Sequence, residues 1–181
     1  MSTAANSAID IVSRALVLIG AEPITSFTEN TTEALVANNM YEDAVRTSLS
    51  SARWRFATQQ AQLSQLVADP TGRFDAAHQL PNDLLILHAV TVNDNLLNYT
   101  VYGDKVFSNA ADNDVVIADY TFRQTETNFP SYFTLAVEYS LASIFATAIA
   151  RSSTLTQLMT EKAELMMAKA RNLDAQQQTT R

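Results

Sequence analysis

Cysteine is absent from this chain of 181 residues. Its absence excludes a disulfide framework, a thiolate nucleophile and any zinc site built on cysteine. Glycine and proline are scarce, with three and four residues, which favours long helices over a fold punctuated by many turns. The hydrophobic fraction of 47% and the charged fraction of 17% are typical of a globular chain. The length fits one compact domain, or one domain with a modest insertion.

Basic residues are also few, because 12 lysines and arginines stand against 19 acids, a formal net charge of −7. Most of this excess comes from segment 75–122, which contains seven aspartates and the single basic residue Lys105. An acidic surface repels phosphate, so the composition argues against sequence-specific binding of nucleic acid. It is compatible with a wide channel through which DNA slides without adhering.

Sequence patterns for catalysis or for a bound cofactor are missing. The two histidines, His78 and His88, lack the spacing of a metal site, and Asp112-Asn113-Asp114 lacks the closing glutamate of a calcium loop. Three scattered glycines cannot form a phosphate-binding loop. We therefore predict no catalytic residue, no cofactor and no metal. An enzyme whose carboxylates assemble from distant positions stays an alternative.

The stretch 132–150 is the most apolar part of the chain. Polar residues such as Glu138 and Ser143 interrupt it, so it indicates a buried core helix rather than a membrane span. We therefore expect no contact with a membrane.

One short motif, Arg53-Trp54-Arg55-Phe56, interleaves bases with aromatics in the way that single-strand-binding surfaces do. Two arginines are too few to make an electrostatic stripe on a chain of this charge. We instead expect Trp54 and Phe56 to lie in the core, because large aromatic side chains contribute most when buried.

Hydrophobic residues recur at helical spacing in four segments. These segments predict helices at about 7–19, 31–52, 131–151 and 153–173. Residues that favour helix starts precede three of them, namely Asn6 or Ser7, Thr31 or Thr32, and Ser152 to Thr154.

Alternation of apolar and polar residues replaces helical spacing between the second and third of these helices. Leu84–Val92 and Val115–Phe122 predict strands, and Tyr99–Phe107 predicts a hairpin with Gly103 in its tight turn. Residues 59–66 predict a further extended strand. The result is a small antiparallel region of three or four strands.

The predicted fold class is mainly α: a four-helix bundle with an inserted small antiparallel β region, which makes the whole an α+β protein. The domain bounds follow from the change of pattern. Residues 1–68 and 126–175 would form the helical bundle body, 69–125 the inserted β region, and 176–181 a polar C-terminal tail.

Several short motifs stand in order along the chain. They are Ile11-Val12-Ser13-Arg14-Ala15-Leu16-Val17-Leu18-Ile19-Gly20-Ala21-Glu22-Pro23-Ile24, Thr32-Glu33-Ala34, Tyr41-Glu42-Asp43-Ala44-Val45-Arg46, Trp54-Arg55-Phe56-Ala57, Leu80-Pro81-Asn82-Asp83-Leu84-Leu85 and Leu141-Ala142-Ser143-Ile144-Phe145-Ala146. In this order and spacing the chain resembles, over nearly its whole length, the phage tail tubular proteins of the head-to-tail adaptor family. One departure is Leu85-Ile86-Leu87, where relatives often carry a basic residue.

The resemblance implies a structural virion protein with no enzymatic activity. Its subunits would form a ring, usually of twelve, that joins the portal protein to the tail nozzle or tube protein and lines the channel for DNA ejection. Tail fibres are a further candidate partner, and double-stranded DNA would pass without specific binding. The protein would reside in the virion tail after assembly in the host cytoplasm. The alternatives are a related head-completion or connector protein and a small helical binding module of the host.

The last predicted helix outruns its apolar stripe, because only Ala175 and polar residues follow Leu173. A polar chain end frays on its own but becomes ordered in a partner's groove. Given the ring that the resemblance implies, we predict that this segment binds the portal. The predicted contact residues are Lys169, Arg171, Asp174, Gln176, Gln177, Gln178 and Arg181.

Overall fold

The chain folds into two compact units. Met1–Phe56 and Gln124–Arg181 make up the first unit, and Ala57–Arg123 makes up the second. The computed structural model on which this description rests describes residues 5–67, 72–111 and 113–177.

The first unit is helical, and its helices begin where the sequence supplies capping side chains. Its four α-helices, within the described residues, are α1 Ala8–Leu18, α2 Thr32–Ser50, α3 Ser131–Ala148 and α4 Ser153–Ala175. The hydroxyls of Ser7, Thr31 and Ser152 accept hydrogen bonds from the backbone N–H three residues on, at 3.1, 3.2 and 3.3 Å. Such bonds satisfy donors that the first turn of a helix leaves unpaired. These caps confirm the helix starts predicted from the sequence.

The α3 helix forms the centre of this unit. It contacts α1, α2 and α4, and its contact with α4 is the most extensive. Phe133, Leu141 and Phe145 of α3 are fully buried, which confirms the prediction that the helix after Pro130 is the core helix. Among the described helices, none combines the length and the apolar character needed to cross a bilayer.

The second unit is built from short antiparallel strands. Within the described residues they are β1 Thr58–Gln62, β2 Ser64–Gln65, β3 Ala76–Gln79, β4 Leu84–Val92, β5 Asn95–Leu96, β6 Tyr99–Tyr102, β7 Lys105–Ser108 and β8 Val116–Phe122. One sheet has the strand order β1-β8-β4-β5 and the other has the order β2-β3-β7-β6.

The predicted strand at 84–92 is confirmed as β4, and the predicted hairpin is confirmed as β6 and β7, with Tyr102 paired to Lys105 across the turn.

The two sheets share one apolar core. Its buried residues come from strands of both sheets and from the segments between them, and they are Leu63, Ala76, Leu80, Val90, Val106, Ala110, Val116, Ala118 and Tyr120. Each sheet therefore turns one face towards this core.

The predicted fold class is wrong. Instead of a four-helix bundle with a small β insert, the structure is an α+β fold with four helices and two antiparallel sheets, at 46% helix and 22% strand. The sequence patterns missed β3, which contains no β-branched residue, and β5, which has two residues. They also merged β1 and β2 into the single predicted strand at 59–66. Pairing with neighbouring strands, rather than local propensity, gives these segments their extended form. The helices, for their part, are arranged about α3 rather than as four equivalent neighbours.

The predicted domain bounds stay a prediction. They place the helical body at 1–68 and 126–175, the β region at 69–125 and the polar tail at 176–181. The described part of the chain shows where the compact units divide, after Phe56 and after Arg123.

Candidate functional site

The predicted portal-binding residues lie at the end of α4, but they do not share one face. Lys169 and Arg171 are exposed; they are two residues apart and so project about 200° apart around the helix axis. Gln176 and Gln177 are exposed as well. Gln178 and Arg181 lie outside the described residues.

Asp174 differs from the others because it is buried, with 4% of its surface exposed. Its carboxylate accepts a hydrogen bond from the backbone N–H of Arg55 at 2.9 Å and one from the hydroxyl of Tyr132 at 2.8 Å. Its carbonyl oxygen accepts a third from Nε of Arg55 at 3.1 Å. Nε2 of Gln177 donates in turn to the Tyr132 hydroxyl at 3.3 Å. We call these four residues the C-terminal anchor, because they fasten the end of α4 to two other segments of the helical unit.

Trp54 holds in place the segment after α2 to which Asp174 binds. Its indole is fully buried, its Nε1 donates to the carbonyl oxygen of Ser48 at 3.0 Å, and its ring centre lies 5.0 Å from that of Phe133. The prediction that Trp54 belongs to the core is confirmed. Because the indole fixes the chain at this point, the next residue, Arg55, is held where its N–H meets the Asp174 carboxylate.

Tyr132 is a neutral donor in the C-terminal anchor. Burial is the main reason that its pKa is raised to about 12, and the hydrogen bond and negative charge of Asp174 raise it further. Donation by Gln177 acts in the opposite direction. The phenol therefore keeps its proton at neutral pH, and that proton is the one donated to the carboxylate.

A pattern in the sequence could have revealed this anchor. The buried stripe of α4 runs through Met159, Ala163, Met167, Ala170 and Asp174. An acid that continues an apolar stripe needs a buried partner, because an uncompensated carboxylate is costly in the core. The partners themselves, at 55 and 132, are distant in sequence, and the helical pattern alone does not identify them.

The second unit carries a concentration of acidic side chains. Asp75, Asp83, Asp94 and Asp104 are exposed there. The carboxylate of Asp104 accepts from Nε2 of Gln79 at 3.0 Å, and this bond is the main reason that the pKa of Asp104 is lowered. A lowered pKa keeps this carboxylate charged at neutral pH, so the unit presents negative charge to its surroundings.

The two histidines lie in different environments within this unit. His78 on β3 is buried, and burial lowers its pKa. It borders a polar cavity of about 480 Å³. His88 on β4 lies 2.7 Å, through Nε2, from the hydroxyl oxygen of Thr121. Among the described residues, no three His, Asp or Glu side chains are grouped so that they could hold a metal ion.

The sequence profile of the tail tubular protein family matches residues 8–180, nearly the whole chain. The chain belongs to the tail tubular protein family. The resemblance noted in the sequence is thereby confirmed. No curated protein sequence matches the chain.

Tail tubular proteins are structural components of phage tails and are not typically enzymes. Such a protein assembles with other tail or portal components and with further copies of itself.

Proposed function

We propose that this tail tubular protein is a head-to-tail adaptor. Twelve subunits would form a ring that joins the portal to the tail nozzle and lines the channel through which DNA leaves. Tail fibres stay a further candidate partner. The observation that carries the proposal is the C-terminal anchor, since it fixes the end of α4 at Asp174. Gln176 and the residues after it therefore continue from a defined point on the folded unit.

The fixed end of α4 should favour docking of the segment that follows it. A segment that is held at one end loses less conformational freedom on docking than a wholly free segment, so less interaction energy is spent on ordering it. A ring presents one such segment from every subunit. Many weak contacts made at once then hold the joint more firmly than any single contact would.

The acidic surface of the second unit supports the channel role. Its exposed aspartates at 75, 83, 94 and 104 repel the phosphates of DNA at close range. A channel wall of this kind lets DNA pass without adhering, whereas a basic wall would hold it by counterion release.

A truncation tests the attachment, and the C-terminal anchor dictates where to cut. Removal of residues 178–181 spares both Asp174 and Gln177, so the fold and melting temperature should match those of the full chain. Attachment to rings of the cognate portal, seen by electron microscopy, should be lost or weakened, because the polar end no longer reaches the portal groove. Full attachment by the truncated chain would show that other residues bind the portal.

A further inference from the structure

The helical unit has an apolar groove between α2 and α3. The groove has a volume of about 520 Å³ and is lined by Leu35, Val36, Asn39, Met40, Ile144, Thr147 and Ala148. Leu35 is 63% exposed, although it is fully aliphatic. We call this surface the α2–α3 groove. Contiguous apolar surface that is open to water commonly marks an interaction site.

A second apolar surface runs along α4. Leu158, Lys162, Leu165 and Lys169 follow one another at steps of four, three and four residues, so they lie on one side of the helix. Leu158 and Leu165 are 46% and 47% exposed. We call this row the α4 stripe. Single exposed leucines are ordinary on protein surfaces, but a row at this spacing is typical of a helix that packs against another helix or into a groove.

The two surfaces are complementary in charge. Asp43 on α2 is exposed and follows Leu35 and Asn39 at steps of four, so it continues the line of the α2–α3 groove. The α4 stripe carries Lys162 and Lys169 beside its leucines. The exposed Glu161, three residues after Leu158 and four before Leu165, lies on the same side, so the net charge of the stripe is positive but mixed. In a contact between the two surfaces, the carboxylate of Asp43 would face a row of net positive charge, while aliphatic side chains would meet aliphatic side chains.

We infer that the α4 stripe of one copy packs into the α2–α3 groove of a second copy. The two surfaces differ, so each copy offers one of each, and a contact of this heterologous kind propagates into a ring or a filament rather than closing as a dimer. The inference rests on the proposed ring, for which it names the two surfaces that meet between neighbouring copies.

Two single substitutions test the contact. Leu35→Asp places a charge in the α2–α3 groove and Leu165→Asp places one on the α4 stripe. Each should weaken self-association of the full chain at least about tenfold in sedimentation, because the added carboxylate would have to lose its water shell on entering the apolar contact. The melting temperature of each should stay close to that of the wild type, since both leucines are exposed. Val17→Asp is the matched control: Val17 is 59% exposed on α1, outside both surfaces, and its replacement should leave association unchanged.

A mixture of the two defective variants gives the sharper result. Leu35→Asp retains an intact α4 stripe, and Leu165→Asp retains an intact α2–α3 groove. Mixed together, they should form a dimer that grows no further, because each partner lacks the other half of the contact. A mixture that stays monomeric would overturn the inference, as would equal loss of association by Val17→Asp or a wild-type chain that stays monomeric at its highest soluble concentration. The truncation of residues 178–181 tests portal attachment, whereas these substitutions test self-association. The proposed adaptor role and this contact between copies are therefore tested independently.

Discussion

At the scale of single residues, we expect replacement of Trp54 to lower the stability of the fold most. It is the only tryptophan of the chain, is fully buried and donates to the carbonyl of Ser48. Trp54→Ala should lower the free energy of unfolding by about 3–5 kcal/mol, through lost burial and the cavity left behind. Denaturant unfolding followed by circular dichroism measures this loss. Trp54→Phe is the control and should cost less, since it keeps a ring against Phe133. A variant Trp54→Ala of wild-type stability would refute the core role.

Tyr132 makes stability depend on alkaline pH. Its pKa is raised to about 12 in the fold, above the value of about 10 for an unperturbed tyrosine. The folded state therefore favours the protonated phenol. The resulting stabilisation is complete below about pH 10 and is lost as the pH rises from about 10 to 12.

The variant Tyr132→Phe removes the titrating hydroxyl and its bond to Asp174. We expect the urea midpoint of this variant to fall less steeply than that of the wild type across the alkaline window. Below the window the variant should be the less stable protein, because it leaves one acceptor position of the buried carboxylate without its donor. Parallel curves for the two proteins over the window would show that Tyr132 does not govern the effect.

At the scale of secondary structure, the turn of the β6–β7 hairpin depends on one residue. Gly103 has a φ of 61°, in the left-handed region that a Cβ disfavours. Gly103→Ala should therefore cost roughly 1–2 kcal/mol, measured as a shift of the urea midpoint. Gly103→Asn is the matched comparison and should cost less, because asparagine tolerates this region. Equal stability of the alanine variant and the wild type would mean that the turn relaxes to another form.

Elements with strong local patterns could be predicted from the sequence. The capping hydroxyls of Ser7, Thr31 and Ser152 fixed three helix starts, and the aliphatic run of β4 fixed one strand to the residue. The strands β3 and β5 could not be predicted in this way. The form of β3 depends on pairing with β7, about 30 residues further along the chain, and β5 has only two residues. These misses led to the wrong fold class, because β3 joins β2 to β7 in the second sheet, and without β3 the two-sheet arrangement is not apparent.

The candidate site was predictable only in part, for the same physical reason. The end of α4 could be predicted as a contact segment because only Ala175 and polar residues follow Leu173. Its central interaction, between Asp174 and the distant residues Arg55 and Tyr132, depends on packing that the helical pattern does not encode. Asp174 was predicted as a portal contact, yet in the fold it joins segments of its own chain. Its part in portal binding stays a prediction.

At the scale of the whole molecule, net charge determines whether an assembled ring would bind the DNA that passes through it. The chain carries a net charge of −7, and four exposed aspartates of the second unit contribute to it. If these aspartates line the channel, the wild type should show no binding to double-stranded DNA in fluorescence anisotropy, even at low salt. Replacing Asp75, Asp83, Asp94 and Asp104 together by lysine should create binding that weakens steeply as salt rises, because each new phosphate contact releases counterions.

The same lysine variant tests the channel in assembled particles. Asp94 has a φ of 63°, and the carboxylates of Asp83 and Asp104 accept hydrogen bonds, so the variant should be somewhat less stable than the wild type. Electron microscopy therefore checks first that its rings and tails form. DNA release, followed by the fluorescence of an intercalating dye outside the capsid, should be slower, since cations on the wall hold the phosphates that the aspartates repel. Replacement of the four aspartates by asparagine is the control: it removes the repulsion without adding attraction, and its release rate should lie between the other two. Particles of the lysine variant that assemble and release DNA at the wild-type rate would show that this acidic surface faces away from the channel.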